Sequence, residues 1–150
     1  MTLKERLQAE TTAAMRSGDA LRRDTLRMVH NTAYNLEKKS GQPLTDEEML
    51  AVFSREVKTR RESVEAFRKG GREDLAAKEE AEIAILAGFL PEPLSEAALA
   101  GLIEQAIGAT GAATPRDLGK VMGWLTPHTR GRADGKRVSE LVAARLAGPG

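Results

Sequence analysis

The sequence predicts an all-α protein: a four-helix N-terminal part followed by a small three-helix C-terminal domain. Three observations carry this. Sustained apolar–polar alternation and β-branched runs are missing, and only 3% of residues are aromatic. Helix start and stop residues recur along the whole chain. Between them, apolar residues return every three or four positions, the period of one helix face.

Thr2 and Glu5 have capping-box spacing and open a first helix with Leu3, Leu7 and Met15 on its apolar side; Gly18 stops it. Asp19 caps a second, where Leu26, Val29, Ala33 and Leu36 share a face, and the turn from Ser40 to Pro43 ends it. Thr45 and Glu48 repeat the capping box and open a third. Its stripe is Leu50, Phe53, Val57, Val64 and Phe67, with Arg60 at the one intervening stripe position. Gly70-Gly71 ends this helix. A fourth, over roughly 73–90, carries Leu75, Ile83, Leu86 and Leu90, and Pro91 and Pro93 forbid its continuation.

The proline segment reads as a boundary, giving an N-terminal helical domain over 1–90, a linker over 91–94 and a C-terminal domain over 95–150. Ser95 caps a fifth helix with Leu99, Leu102, Ile103 and Ile107 inward. Thr114, with Pro115 at the favoured first position, caps a sixth with Leu118, Val121, Met122 and Leu125 apolar. A loop over 126–133 follows, and Asp134 opens a seventh helix with Val138, Leu141, Val142 and Leu146. Gly119 and Gly123 each cost the sixth helix about 1 kcal/mol relative to alanine. Close packing of a neighbouring helix, or close approach of a ligand backbone, would offset that cost, and packing is the plainer expectation.

Several kinds of chemistry are poorly supplied. There is no cysteine, which excludes disulfides and thiolate metal sites, and only His30 and His128 are available as imidazole ligands. No metal site, cofactor or catalytic residue is expected. Gly119-Lys120 fails as a phosphate-binding P-loop, because Thr114 stands where the first glycine belongs and Val121 where Ser or Thr belongs. No serine lies in a nucleophile elbow. No apolar run approaches the ~20 residues of a membrane span. The stretch MTLKERLQAE lacks the apolar core of a secretory leader, so a cytoplasmic location is expected.

Formal net charge is only +1, so any polyanion must be met by a local patch. Two patches stand out. Residues 91–115 hold no Lys or Arg, whereas residues 116–150 hold seven against three acids. Lys120, Arg130, Arg132, Lys136 and Arg137 flank the glycine-bearing loop there. A second cluster contains Lys58, Arg60, Arg61, Lys69 and Arg72, close to Arg55 and Arg68, and part of it has the spacing of ordinary helical ion pairs such as Lys58 with Glu62. Each patch reads either as a solvated face or as phosphate contacts. With so few aromatics, most of them on apolar stripes, base stacking is disfavoured, and contacts sensing the shape of a folded RNA stay open.

The chain resembles the GatB/YqeY family, standalone relatives of the tail domain found in the GatB component of aspartyl/glutamyl-tRNA amidotransferase. The resemblance rests on residues 58–63 (KTRRES), 67–75 (FRKGGREDL), Glu79-Glu80, Phe89-Leu90-Pro91, 119–122 (GKVM) and 131–136 (GRADGK). It implies an all-helical fold with a small C-terminal three-helix part. It also implies a non-catalytic tRNA-binding accessory module, with Lys120, Arg132 and Lys136 in the best-matching stretch. The competing expectation is a module docking on an aminoacyl-tRNA synthetase or an amidotransferase, suggested by the small-residue helix face beside Val121, Met122 and Trp124. A carbon–nitrogen ligase using glutamine as nitrogen donor has only family association behind it, and the residue inventory opposes it.

Overall fold

A computed structural model describes residues 1–148. Among them are seven α-helices and no strand: α1 (Leu3–Ser17), α2 (Ala20–Ser40), α3 (Asp46–Lys69), α4 (Glu73–Ala87), α5 (Glu96–Thr110), α6 (Leu118–Thr129) and α7 (Gly135–Leu146), with a single 3₁₀ turn, Pro115–Asp117, before α6. The chain divides into two compact units, Met1–Pro91 and a second from Glu92 onward.

The local signals act where they stand. Thr45 Oγ1 accepts from Glu48 N while Glu48 Oε1 accepts from Thr45 N, both at 3.1 Å, a complete capping box. At α1 only half of the box forms: Thr2 Oγ1 accepts from Glu5 N, and the N–H of Leu3 turns to Asp46 Oδ1 at 3.1 Å, tying the start of α1 to that of α3. Gly18 and Gly41 stop α1 and α2 with φ of 76° and 75°, a left-handed conformation that side-chain-bearing residues rarely adopt.

The first unit packs around Leu7, Leu26, Val29, Met49, Phe53 and Leu86. Phe53 stacks on Phe89 at 4.7 Å between ring centroids, and the Arg6 guanidinium lies 4.4 Å over the Phe89 ring while donating to the Gly88 carbonyl. Four expected core positions are corrected. On α1 the inward series is Leu7, Thr11 and Ala14, which leaves Met15 52% exposed. On α2 each residue turns about 100°, so Leu36 lies about 80° from Leu26 and emerges at the helix edge, 42% exposed. On α3 Met49 and Val52 are buried, and Leu50 and Phe67 are only half-buried.

In the second unit, Leu99, Ile103 and Ala106 of α5 meet Val121 and Leu125 of α6 and Val138, Val142 and Leu146 of α7. Here the expected loop over 126–133 is corrected: α6 continues through Pro127 to Thr129. Thr126 Oγ1 donates to the Met122 carbonyl at 2.7 Å and Arg130 N to the Thr126 carbonyl at 3.0 Å, holding the last turn despite the proline. Close packing at Gly119 and Gly123 is corrected as well. Both are exposed, and a Cβ placed on either would meet nothing within 4 Å.

Candidate nucleic-acid interface

The five-residue connection between α6 and α7 folds one helix back along the other. Arg130 is the C-cap of α6 and is half-buried. Arg132 is also half-buried: its carbonyl accepts from Leu94 N at 2.9 Å, and its Nε donates to the Glu92 carbonyl at 3.2 Å. Arg132 therefore fastens the segment after Pro91 to this turn. Asp134 takes the N-cap position of α7, and its carbonyl accepts from Val138 N. Lys136 and Arg137, in the first turn of α7, are exposed, and Arg137 reaches Glu96 of α5 at 3.3 Å.

Arg130, Arg132, Lys136 and Arg137 thus gather at the α6–α7 turn. Lys120 does not join them. It is exposed in the first turn of α6, about 15 Å along the helix from Arg130, and its charge helps hold the Asp117 carboxyl below the usual range. The larger causes of that lowering are the N–H groups of Ala113 and Thr114, which donate to Asp117 Oδ2 at 2.8 and 3.1 Å.

The second cluster disperses, and one member is corrected outright. Arg60 is 5% exposed, with Nη1 donating to Glu56 Oε2 at 2.6 Å and Nε to Glu82 Oε2 at 3.1 Å. It belongs to the core of the first unit and is not available to a phosphate. Lys69 pairs with Glu65 at 3.3 Å and Arg72 with Asp74 at 3.2 Å. Arg68, their neighbour, binds Glu73 and Glu80, whose hydrogen bonds raise its pKa. Lys58 and Arg61 are both exposed on α3.

Two features were missed in the sequence. Around Arg60, Glu79 joins Glu56 and Glu82, and its carboxyl is raised above the usual range, first by burial and next by the Glu82 charge. The only available signal was an arginine at a stripe position. On α6, His128 lies at 4.4 Å and 15° against Trp124, with Nδ1 3.0 Å from the Trp124 carbonyl oxygen. The spacing of four residues was visible, but only a helix continuing through Pro127 makes it a contact. Val121 is fully buried, and Met122 and Trp124 pack against the second core, so the apolar face suggested for docking is largely interior.

Other concavities carry less chemistry. A groove of about 530 Å³ runs between α2 and α3, with Leu36, Leu44 and Val52 in its wall. His30 is half-buried, with Nε2 3.2 Å from Thr11 Oγ1. Among the described residues no group of three His, Cys, Asp or Glu side chains is placed to hold a metal ion. No helix among them is long and apolar enough to cross a membrane.

The class is therefore an all-helical, two-unit protein whose second unit carries a basic turn. Comparison with known families gives the particular one: residues 4–146 match the family described as Yqey-like protein, and the chain belongs to it, as its motifs implied. A relative from Pyrenophora tritici-repentis, named altered inheritance of mitochondria protein 41, mitochondrial, is 30% identical over 93% of this chain and 81% of its own length. Proteins of the same name from Eremothecium gossypii and Vanderwaltozyma polyspora are 32% and 31% identical over 56% of this chain, which spans about half of their length (46% in each). These names overturn the expected cytoplasmic location. That expectation rested on missing apolar segments, and a missing span or secretory leader does not specify a compartment.

Proposed function

We propose that this protein is a non-catalytic tRNA-binding accessory module, whose three-helix second unit acts like the tail domain of tRNA-dependent amidotransferases and senses the shape of a folded tRNA through phosphate contacts. The observation that carries the reading is the gathering of Arg130, Arg132 and Lys136 at one turn, with Arg137 beside them and paired to Glu96, within the stretch that resembles the family. Lys120 extends this surface along α6. What supports the non-catalytic part is the inventory: no cysteine, one histidine against a threonine hydroxyl and the other against a tryptophan. The relatives are named as mitochondrial proteins, and in that location the tRNA bound by this chain would be the organelle's.

A binding titration of folded tRNA and of duplex DNA at two salt concentrations tests the reading. With roughly four phosphates neutralised, log K falls against log salt with a slope of roughly −3 to −4. Lys120 and Lys136 are the informative pair, because Arg132 also fastens Glu92. Replacing both lysines with alanine is expected to flatten the slope by about 2 without loss of helix. Salt-independent binding, or none, would refute the reading.

A second reading, a docking module for a synthetase or an amidotransferase, is favoured by the α2–α3 groove with Leu36 exposed at its wall. A salt-insensitive stoichiometric complex recovered by pull-down would support it, and loss of that complex on Leu36→Asp would place it.

A further inference from the structure

The exposed face of α6 is made of Gly119, Lys120, Gly123, Pro127 and His128. Two side chains stand out from it, Lys120 and His128. They lie eight residues apart, about 12 Å along the axis, with Trp124 midway on the same side. The indole packs inward against the second core and is covered on its other side by the imidazole at 4.4 Å. The bond to the Trp124 carbonyl fixes the ring through Nδ1, so His128 is an oriented aromatic plate whose outer face meets solvent. The adjacent strip is bare. Neither glycine is covered by a neighbouring helix, and Pro127 brings no N–H to the Gly123 carbonyl. A ligand backbone can therefore lie against α6 beside the plate.

We propose that the outer face of His128, backed by Trp124, is a stacking platform for one unpaired RNA base, with Lys120 on a phosphate of the same strand and the glycine strip accommodating the intervening sugar. The inference rests on the tRNA reading above and adds to it a contact to a base, where that reading has only phosphates. A platform of this kind accepts any base, because every base presents a π-face, and it favours RNA with nucleotides free of pairing.

Trp124 is the sole tryptophan of the chain, so its fluorescence reports on the platform in the intact protein. The full chain is titrated with a folded tRNA transcript and with a blunt RNA duplex that has no unpaired nucleotide. The tRNA is expected to change the indole emission, and the duplex, at equal occupancy, to leave it unchanged. His128→Ala is expected to bind tRNA about tenfold more weakly with an unaltered salt slope, because stacking releases no counterions. Lys120→Ala is expected to flatten the slope by about 1. His128→Phe separates stacking from helix capping: phenylalanine keeps the π-face but has no N–H for the Trp124 carbonyl, so restored affinity supports the platform. If tRNA binds with unchanged emission and His128→Ala stays within twofold of the original protein, the platform is refuted and the tRNA reading stands. A loss that phenylalanine does not rescue, or an equal emission change with the duplex, refutes it too. If tRNA does not bind at all, both fall.

Discussion

Replacing Arg60 with alanine is expected to destabilise the first unit by about 3 kcal/mol, the lower end of the roughly 3–5 kcal/mol that removing one partner of a buried ion pair costs. The guanidinium makes three bonds to oxygen: to Glu56 Oε2 at 2.6 Å, to the Glu56 carbonyl at 3.2 Å and to Glu82 Oε2 at 3.1 Å. Alanine would leave two carboxylates facing one another with no counter-charge. The Glu56 and Glu82 side chains keep 20% and 12% exposure, so water reaches them in part and the lower end applies. Burial opposes the charge of Arg60, and the bonds to Glu56 and Glu82 more than offset it, leaving its pKa raised. Glu79, already raised, loses an opposing cation in the variant and moves further up. A carboxyl whose folded pKa is raised favours the folded state below its unfolded pKa, near 4.3, and loses that contribution as pH rises through the folded value. The deficit of Arg60→Ala should therefore shrink on acidification. Urea unfolding followed by circular dichroism measures the loss, and fluorescence of Trp124 follows the second unit as an internal control. A variant with Arg60→Met, Glu56→Gln and Glu82→Gln removes all three charges and should recover most of the stability. A loss under about 1 kcal/mol for Arg60→Ala, or a triple variant no better than the single one, would refute the buried network.

The pKa of His30 is lowered, first by burial, then opposed by the Leu7 carbonyl, with the Lys4 charge adding to the lowering. Its contribution to stability is whole above the unfolded value near 6.5 and is lost as pH falls through the folded value, so unfolding free energies measured between neutral and mildly acid pH should decline, and decline less in His30→Gln. Gly119→Ala and Gly123→Ala meet open space and should each raise helix stability by up to about 1 kcal/mol in thermal unfolding; if RNA lies on this strip, the same variants lower its affinity.

What could be read from the sequence was what is local. The Thr45–Glu48 box, the Asp19 and Ser95 caps and the left-handed glycines depend on neighbours within a few residues, and they form where those residues stand. The Arg60 network was half legible: a charge on an apolar stripe was visible, but its partner Glu82 lies 22 residues away on another helix. Leu36 misled because spacings of three and four drift around a long helix, and by the third step the face has turned. The last turn of α6 was hidden by a sound rule about proline. A single missing N–H is tolerable near a helix end, where Thr126 and Arg130 supply bonds of their own. The stacking of His128 on Trp124 was lost with that turn.

A run of basic residues in a sequence is a count of charges, and what matters to an interface is where the fold puts them and what they already hold. In the stretch over 55–72, Arg60, Arg68, Lys69 and Arg72 are engaged by Glu56, Glu82, Glu73, Glu80, Glu65 and Asp74, so much of that cluster serves to wire α3 to α4 and to the turn between them. In the second unit, position sharpens the patch. Arg137 and Arg145 lean on Glu96 and Glu104 of α5, at 3.3 and 2.6 Å, and neutralise that side. The other five of the seven cations after residue 115, Arg116, Lys120, Arg130, Arg132 and Lys136, lie on α6, in the turns flanking it and in the first turn of α7. The unit is polarised because α5 contributes acids and no cations, and Glu96 and Glu104 are met by arginines of α7. Lys120 shares the exposed face of α6 with the bare glycines and the His128 plate, and a polyanion held by that lysine would lie beside them.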